Sequence, residues 1–178
     1  MADNFGLSPE ALEFVKEAVW KDGRWMAVMA KAVYEKWGRE AIDVLCEAFY
    51  EFGVTEGKRC KKEAGYDGRE NEIDVAVALK DFYAKFHKHI LAAGLCAERR
   101  LCEGKYNCHV LKCPIFDAWK SVWDKPWLMC EIMSKSFDEG FMHGLNPKLE
   151  WLSYPEKNGQ KGLGRGAEYC NVELVIKE

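Results

Sequence analysis

The sequence lacks what it would need to span a membrane, leave the cell or bind a phosphate backbone. No apolar run approaches the roughly 18 residues a bilayer span requires; the longest, WMAVMA at 25–30 and ILAAGLCA at 90–97, are of core size. The opening MADNFGLSPE is polar and acidic, without the basic-then-apolar layout of an export signal, so a cytoplasmic protein is expected. Twenty-six basic against 29 acidic residues leave a net charge of −3. The basic residues are scattered, apart from Lys58, Arg59, Lys61 and Lys62 and a looser group at Lys157, Lys161 and Arg165. That distribution provides no positive face, and neither nucleic acid nor a membrane is expected as a partner. Catalytic signatures are missing too: there is no GxSxG, P-loop, GxGxxG, HExxH or CxxC pair, and no internal repeat. GLGRG at 162–166 follows no strand and opens no helix, so it reads as a connection rather than a phosphate loop.

What is present is core material. Apolar residues make up 48% of the 178, with seven Trp, seven Tyr and nine Phe, which rules out a disordered chain. At this length roughly 70% of the unfolded surface can be buried, so one domain over 1–178 is expected, with a helical part (1–92) and a hairpin–helices–hairpin part (93–178). Eight cysteines stand out: Cys46, Cys60, Cys96, Cys102, Cys108, Cys113, Cys130 and Cys170. In a reducing compartment these are thiols, ligands or nucleophiles rather than disulfides, and most read as small buried hydrophobes.

The first half reads as helices. Ser8 before Pro9 is an N-cap pattern, with Leu12, Val15 and Val19 behind it, and Gly23 is expected to end that helix. A second helix should carry Trp25, Met29, Ala32 or Val33, and Trp37 on one face, which reads as core rather than as a pocket lining, and Gly38 punctuates again. A third should bury Ile42, Leu45, Cys46, Phe49 and Phe52. Asn71 with Asp74 resembles a capping pair for a fourth, which buries Val77, Phe82 and Phe86 and runs to about Leu91. Past Gly94, LCAERRLC and YNCHVLKC flank a glycine-containing turn and read as a hairpin. Helices follow from Pro114 and Pro126, a turn at Asn146-Pro147, then LEWLSY, a glycine-rich loop, and a last strand with Cys170, Val172, Leu174 and Ile176 on one face. Strands without βαβ alternation imply an α+β fold, with helices on one side of a roughly four-stranded antiparallel sheet.

The chemistry-bearing candidates are scattered. Cys113, Cys130 and Cys170 would form a three-thiolate site for zinc or iron, completed by His109 or His143, if packing gathers them. His87 and His89 flank a lysine near a helix end and read as surface residues, and His109 faces away from Cys108 across the sheet. His143, in EGFMHGLNP, reads as a loop histidine suited to base or ligand work.

KCPIFDAW, LMCEI, GF…LNPKLEW and a glycine loop ending in EYC occur in that order, behind YEKWGREAIDVLCEAFYEFG. Carried by Cys113-Pro114, Cys130-Glu131, Asn146-Pro147 with Leu149, and Gly166 before Cys170, the stretch from about 24 to 176 resembles the L-2-amino-thiazoline-4-carboxylic acid hydrolase family. It departs from that pattern where Gly166-Ala167-Glu168-Tyr169 replaces a Gly-Asp before the last cysteine. The resemblance implies hydrolytic opening of a C–N bond in a small cyclic amidine-type acid, with no cofactor required. Under it Cys113 is the expected nucleophile, its thiolate favoured by helix N-terminal amides, with His143 as base and Glu131 as acid. Arg100 or Lys112 would anchor the substrate carboxylate, and Asn146 would bind substrate. The last strand pair is also similar to four-vinyl-reductase-type small-ligand domains, so a binding or sensory module without catalysis is the alternative. The aromatic helices would suit a face between two copies of the chain.

Overall fold

The computed structural model describes residues 7–102, 104–153 and 168–177. Helices come first: α1 (Pro9–Trp37), α2 (Arg39–Glu63), a 3-10 turn at Glu70–Glu72, then α3 (Val75–Val77), which runs through a π-helical turn, Ala78–Tyr83, into α4 (Ala84–Phe86) and on to α5 (Lys88–Ala92). A hairpin of β1 (Cys96–Cys102) and β2 (Lys105–Lys112) follows, then α6 (Pro114–Lys120). α7 (Trp127–Cys130) continues through a second π-helical stretch, Glu131–Phe137, into α8 (Asp138–Leu145). β3 (Leu149–Ser153) and β4 (Cys170–Ile176) complete an antiparallel sheet in the order β1-β2-β4-β3. The α+β architecture is the expected one.

Local details depart from the reading. Gly23 does not end a helix: α1 runs through it, because the missing side chain lets α6 close in, and a Cβ there would stand 3.0 Å from that of Ala118. The buried face of α1 is Val19, Gly23, Ala27 and Ala30. That choice of small residues leaves Trp25, Met29 and Trp37 exposed rather than inward. Phe52 is exposed as well, although its ring sits 5.6 Å from that of Phe137. Asp74 is itself the N-cap of α3, its carboxylate accepting from the Val77 N–H at 2.8 Å, with no part for Asn71. At Gly38 a φ of +70° separates α1 from α2 at a single residue, a conformation open to glycine. The glycine-rich connection before β4 lies outside the described residues.

Two apolar clusters hold the fold. One joins the inner sheet face (Cys108, Leu149, Trp151, Val172 and Leu174) to Ile73, Phe82, Phe141, Met142 and Leu145 of the helices over it. The other lies among helices alone, with Ile42 against Phe116, Trp119, Leu128 and Ile132. Each large side chain fully buried there contributes about 1.5–3 kcal/mol of transfer free energy. Cys170, Val172 and Leu174 face inward as the alternation implies, whereas Ile176 is exposed at the strand end. The opposite sheet face is polar: Asn107 donates to Glu173 at 3.2 Å and Lys105 pairs with it at 2.7 Å.

Candidate functional site

Among the described residues no strand pairs with the outer side of edge strand β1, and the helical layer does not close fully over it. Between the π-helical turn Ala78–Tyr83 and the inner face of the β1–β2 hairpin lies a cleft of about 350 Å³. Leu79, Ala84, Leu91 and Leu101 supply its apolar walls, and Lys80, Tyr83, Arg99 and Tyr106 its polar groups. Mostly apolar walls with a few placed polar groups, at this volume, are the usual make-up of a small-ligand site. π-helical turns also recur at functional positions.

Strand alternation decides which arginine enters. In β1, Ala97, Arg99 and Leu101 share the cleft side, while Glu98, Arg100 and Cys102 turn to the polar outer face. Arg99 pairs in register with Cys108, and Leu101 with Tyr106. Burial pushes the Cys108 thiol up, opposed by the Tyr106 hydroxyl and the Arg99 guanidinium. Burial raises the Tyr106 phenol as well, and that of Tyr83 far above its ordinary value, the nearby Asp138 carboxylate adding to the effect. The cleft therefore offers one cation on its sheet side and hydroxyls that stay protonated at neutral pH.

Behind Tyr83 lies a buried polar cluster. Its hydroxyl donates to Oδ2 of Asp138 at 3.4 Å, and Oδ1 of Asp138 is 3.3 Å from Nε2 of His87. That second contact is close enough for an ion pair but is off the hydrogen-bond axis, so Nε2 has no well-aligned partner among the described residues. The Tyr83 ring lies over His87 with centroids 4.4 Å apart, and Phe86 and Phe137 pack on the same imidazole. Burial raises the Asp138 carboxyl, with His87 and then the Tyr83 and Ser134 hydroxyls opposing. His87 is thus a core residue, not the surface residue its flanking lysine suggested.

The residues nominated from sequence fall elsewhere. Cys113 caps α6, and the Ile115 and Phe116 amides do pull its thiol down, but burial dominates and it is pushed up to about 11. His143 sits within α8 rather than on a loop, its Nδ1 sharing a hydrogen bond with the Tyr50 hydroxyl at 2.6 Å. Glu131 is held by Arg39 at 2.6 Å. Twelve residues along one continuous helical run separate Glu131 from His143, or roughly 18 Å at the α-helical rise. Lys112 is exposed at the far end of β2. Arg100 lines a second, polar groove on the outer sheet face with Glu98, Cys102, Lys105, Asn107 and His109. Asn146 is spent on structure: its amide donates to the Ile73 carbonyl at 2.9 Å and its oxygen accepts from the Lys148 N–H at 3.0 Å. Cys113, Cys130 and Cys170 do not assemble a metal site. Among the described residues no group of three His, Cys, Asp or Glu side chains is placed to hold an ion, although Cys170 of the sheet lies near enough to Cys113 to raise its thiol, while Cys130 is packed into the helical cluster. His109 stacks on Tyr169 on the outer face, rings 4.3 Å apart.

The site residues missed in the sequence are Tyr83, Arg99, Tyr106, His87 and Asp138. A signal for one of them was present: Arg99 shares its strand face with Ala97 and Leu101, and a charge between apolar neighbours on a cleft-facing strand marks a recess.

The chain is similar to the phenol-responsive sensory domain of the transcription activator PoxR, solved with phenol, at a TM-score of 0.53 and 10% identity over 86% of this chain and 74% of that one. A looser likeness, TM-score 0.44 and 12% identity over 88% of this chain and 96% of the other, is to trafficking protein particle complex subunit 3 from Naegleria fowleri covalently bound to palmitic acid. No curated protein matches the chain. The model of the L-2-amino-thiazoline-4-carboxylic acid hydrolase family matches residues 15–174, and the chain belongs to that family. Among the described residues no helix is long and apolar enough to cross a membrane.

Proposed function

We propose that this protein takes a small cyclic amidine-type acid, such as a 2-amino-thiazoline carboxylate, into the cleft beside β1 and opens its ring by hydrolysis of a C–N bond. The observation that carries the reading is Arg99, a guanidinium on the sheet side of a mainly apolar recess next to the protonated hydroxyl of Tyr106. A carboxylate paired there gains a charge-assisted contact while the ring lies against Leu79 and Leu101. Family membership supports the substrate class. Neither Cys113, held at about 11, nor Cys108, raised by burial, offers a thiolate at neutral pH, which favours water as the attacking group.

The test is incubation of purified protein with L-2-amino-thiazoline-4-carboxylate, following loss of the ring chromatographically. Turnover that falls with Arg99→Gln supports the reading, and no turnover by the wild type at saturating substrate overturns the hydrolytic part. One observation favours a second reading, binding without catalysis: Cys113, His143 and Glu131 do not converge on the cleft. That reading expects the melting temperature to rise with the same acid while the acid is recovered intact.

A further inference from the structure

We propose that Tyr83, Asp138 and His87 form a proton array, sharing one proton, that meets the cleft at the Tyr83 hydroxyl, so that ligand binding is linked to proton exchange. The inference rests on the reading of the cleft as the ligand site. Tyr83 is the one member that lines the cleft, and its hydroxyl donates inward, to Asp138, rather than to solvent. Asp138 and His87 are both more than nine-tenths buried, and the imidazole Nε2 lies beside the carboxylate without a well-aligned hydrogen bond. Beyond His87 the ring of His89 follows at 6.4 Å between centroids, on an exposed position of α5.

The surroundings leave few competitors. Toward Asp138 and His87 the second π-helical stretch presents Ser134, and α4 and that stretch otherwise present the phenyl rings of Phe86 and Phe137. Toward Tyr83, β2 presents Tyr106 and Cys108, and β3 presents the Trp151 ring at 4.9 Å. The Arg99 cation of β1 reaches Tyr106 and Cys108. His89 faces His87, Asp22 of α1 and Lys88. Among these described residues, Asp138 is the carboxylate in contact with His87, and Asp22 lies toward His89. An amidinium N–H placed against the Tyr83 oxygen would add positive charge next to the array. The N–H or O–H bond holding the shared proton then breaks, the proton passes to water, and the Asp138 charge is opposed by the ligand instead.

Calorimetric titration of the full chain with guanidinoacetate, a carboxylate that carries a guanidinium and has no ring to open, in two buffers of different ionisation enthalpy, reads this without the heat of turnover. The expected result for the wild type is a binding heat that differs between the buffers, reporting proton release. The difference should vanish in His87→Gln and persist in His143→Gln. Tyr83→Phe, which keeps the buried pair intact, should also abolish it if His87→Gln proves too unstable to titrate. A purely structural network would alter affinity or melting temperature and leave the buffer dependence in place. Binding with buffer-independent heat in the wild type, or buffer dependence that survives both array variants, overturns the array while leaving the ligand site standing. Absence of any binding heat in the wild type overturns the ligand-site reading and the array with it.

Discussion

Gly57 of α2 and Gly144 of α8 meet backbone to backbone: a Cβ on Gly57 would lie 2.9 Å from the Cα of Gly144, and one on Gly144 would lie 3.0 Å from the Cα of Gly57. One turn along, Gly53 and Gly140 repeat the arrangement, with a Cβ on Gly53 only 2.8 Å from the Phe141 nitrogen. The crossing seats α8 deeply and so fixes Asp138, at its start, against Tyr83 and His87. Gly57→Ala should lower stability by about 2–4 kcal/mol, since the backbone it strikes has little freedom to move away. Gly65→Ala is the control: its φ of +77° carries strain, but nothing lies within 4 Å of the added carbon, and about 1 kcal/mol is expected. Urea unfolding midpoints compare the two.

Adjacent arginines separate the cleft from the outer face. Arg99→Gln should weaken binding of a small carboxylate about 10- to 100-fold, the worth of one charge-assisted contact. Arg100→Gln, one residue on and facing the opposite side of the sheet, should change it less than twofold on the same scale. Equal effects from the two, measured by ligand-dependent melting shifts, would place the ligand elsewhere.

Cys113 sets a pH dependence. Its thiol is neutral in the fold up to about 11, against an ordinary 9.0. Between those values the unfolded chain binds fewer protons than the folded one, so stability present below pH 9.0 is lost as pH rises toward about 11. Melting temperature recorded across that range should fall, and less steeply in Cys113→Ala. Cys108, Tyr83 and Tyr106, raised in the same direction, supply the slope that remains. In thiol labelling at neutral pH, the exposed Cys96 and Cys102 should react well before Cys113.

The hydrogen bond between Tyr50 and His143, at 2.6 Å, ties α2 to α8 away from the cleft. Tyr50→Phe should cost about 0.5–1.5 kcal/mol in unfolding free energy. Ligand affinity should be unchanged, and a loss of turnover beyond the loss of folded protein would return His143 to the mechanism.

The elements were legible where local chemistry dictates them. Ser8-Pro9 starts α1, with the Ser8 hydroxyl accepting from Ala11 at 3.2 Å, Pro114 starts α6, and period-two alternation turns Cys170, Val172 and Leu174 inward. Gly23 misled because the same residue that breaks an isolated helix also admits a close neighbour, and only the neighbour distinguishes the two uses. Trp25 and Trp37 misled for the same reason: small residues on the other side of α1 took the interface.

Residue order alone therefore determined the family, the α+β class and the start of most elements, because caps, prolines and alternation act over a few bonds. Tertiary structure decided the site. Tyr83, Arg99, Tyr106 and Asp138 come from four separate elements and meet only once α8 docks on α2 and the sheet packs beneath them. The same packing raised the Cys113 thiol, since the dielectric around a sulfur is set by distant parts of the chain and not by the residues beside it.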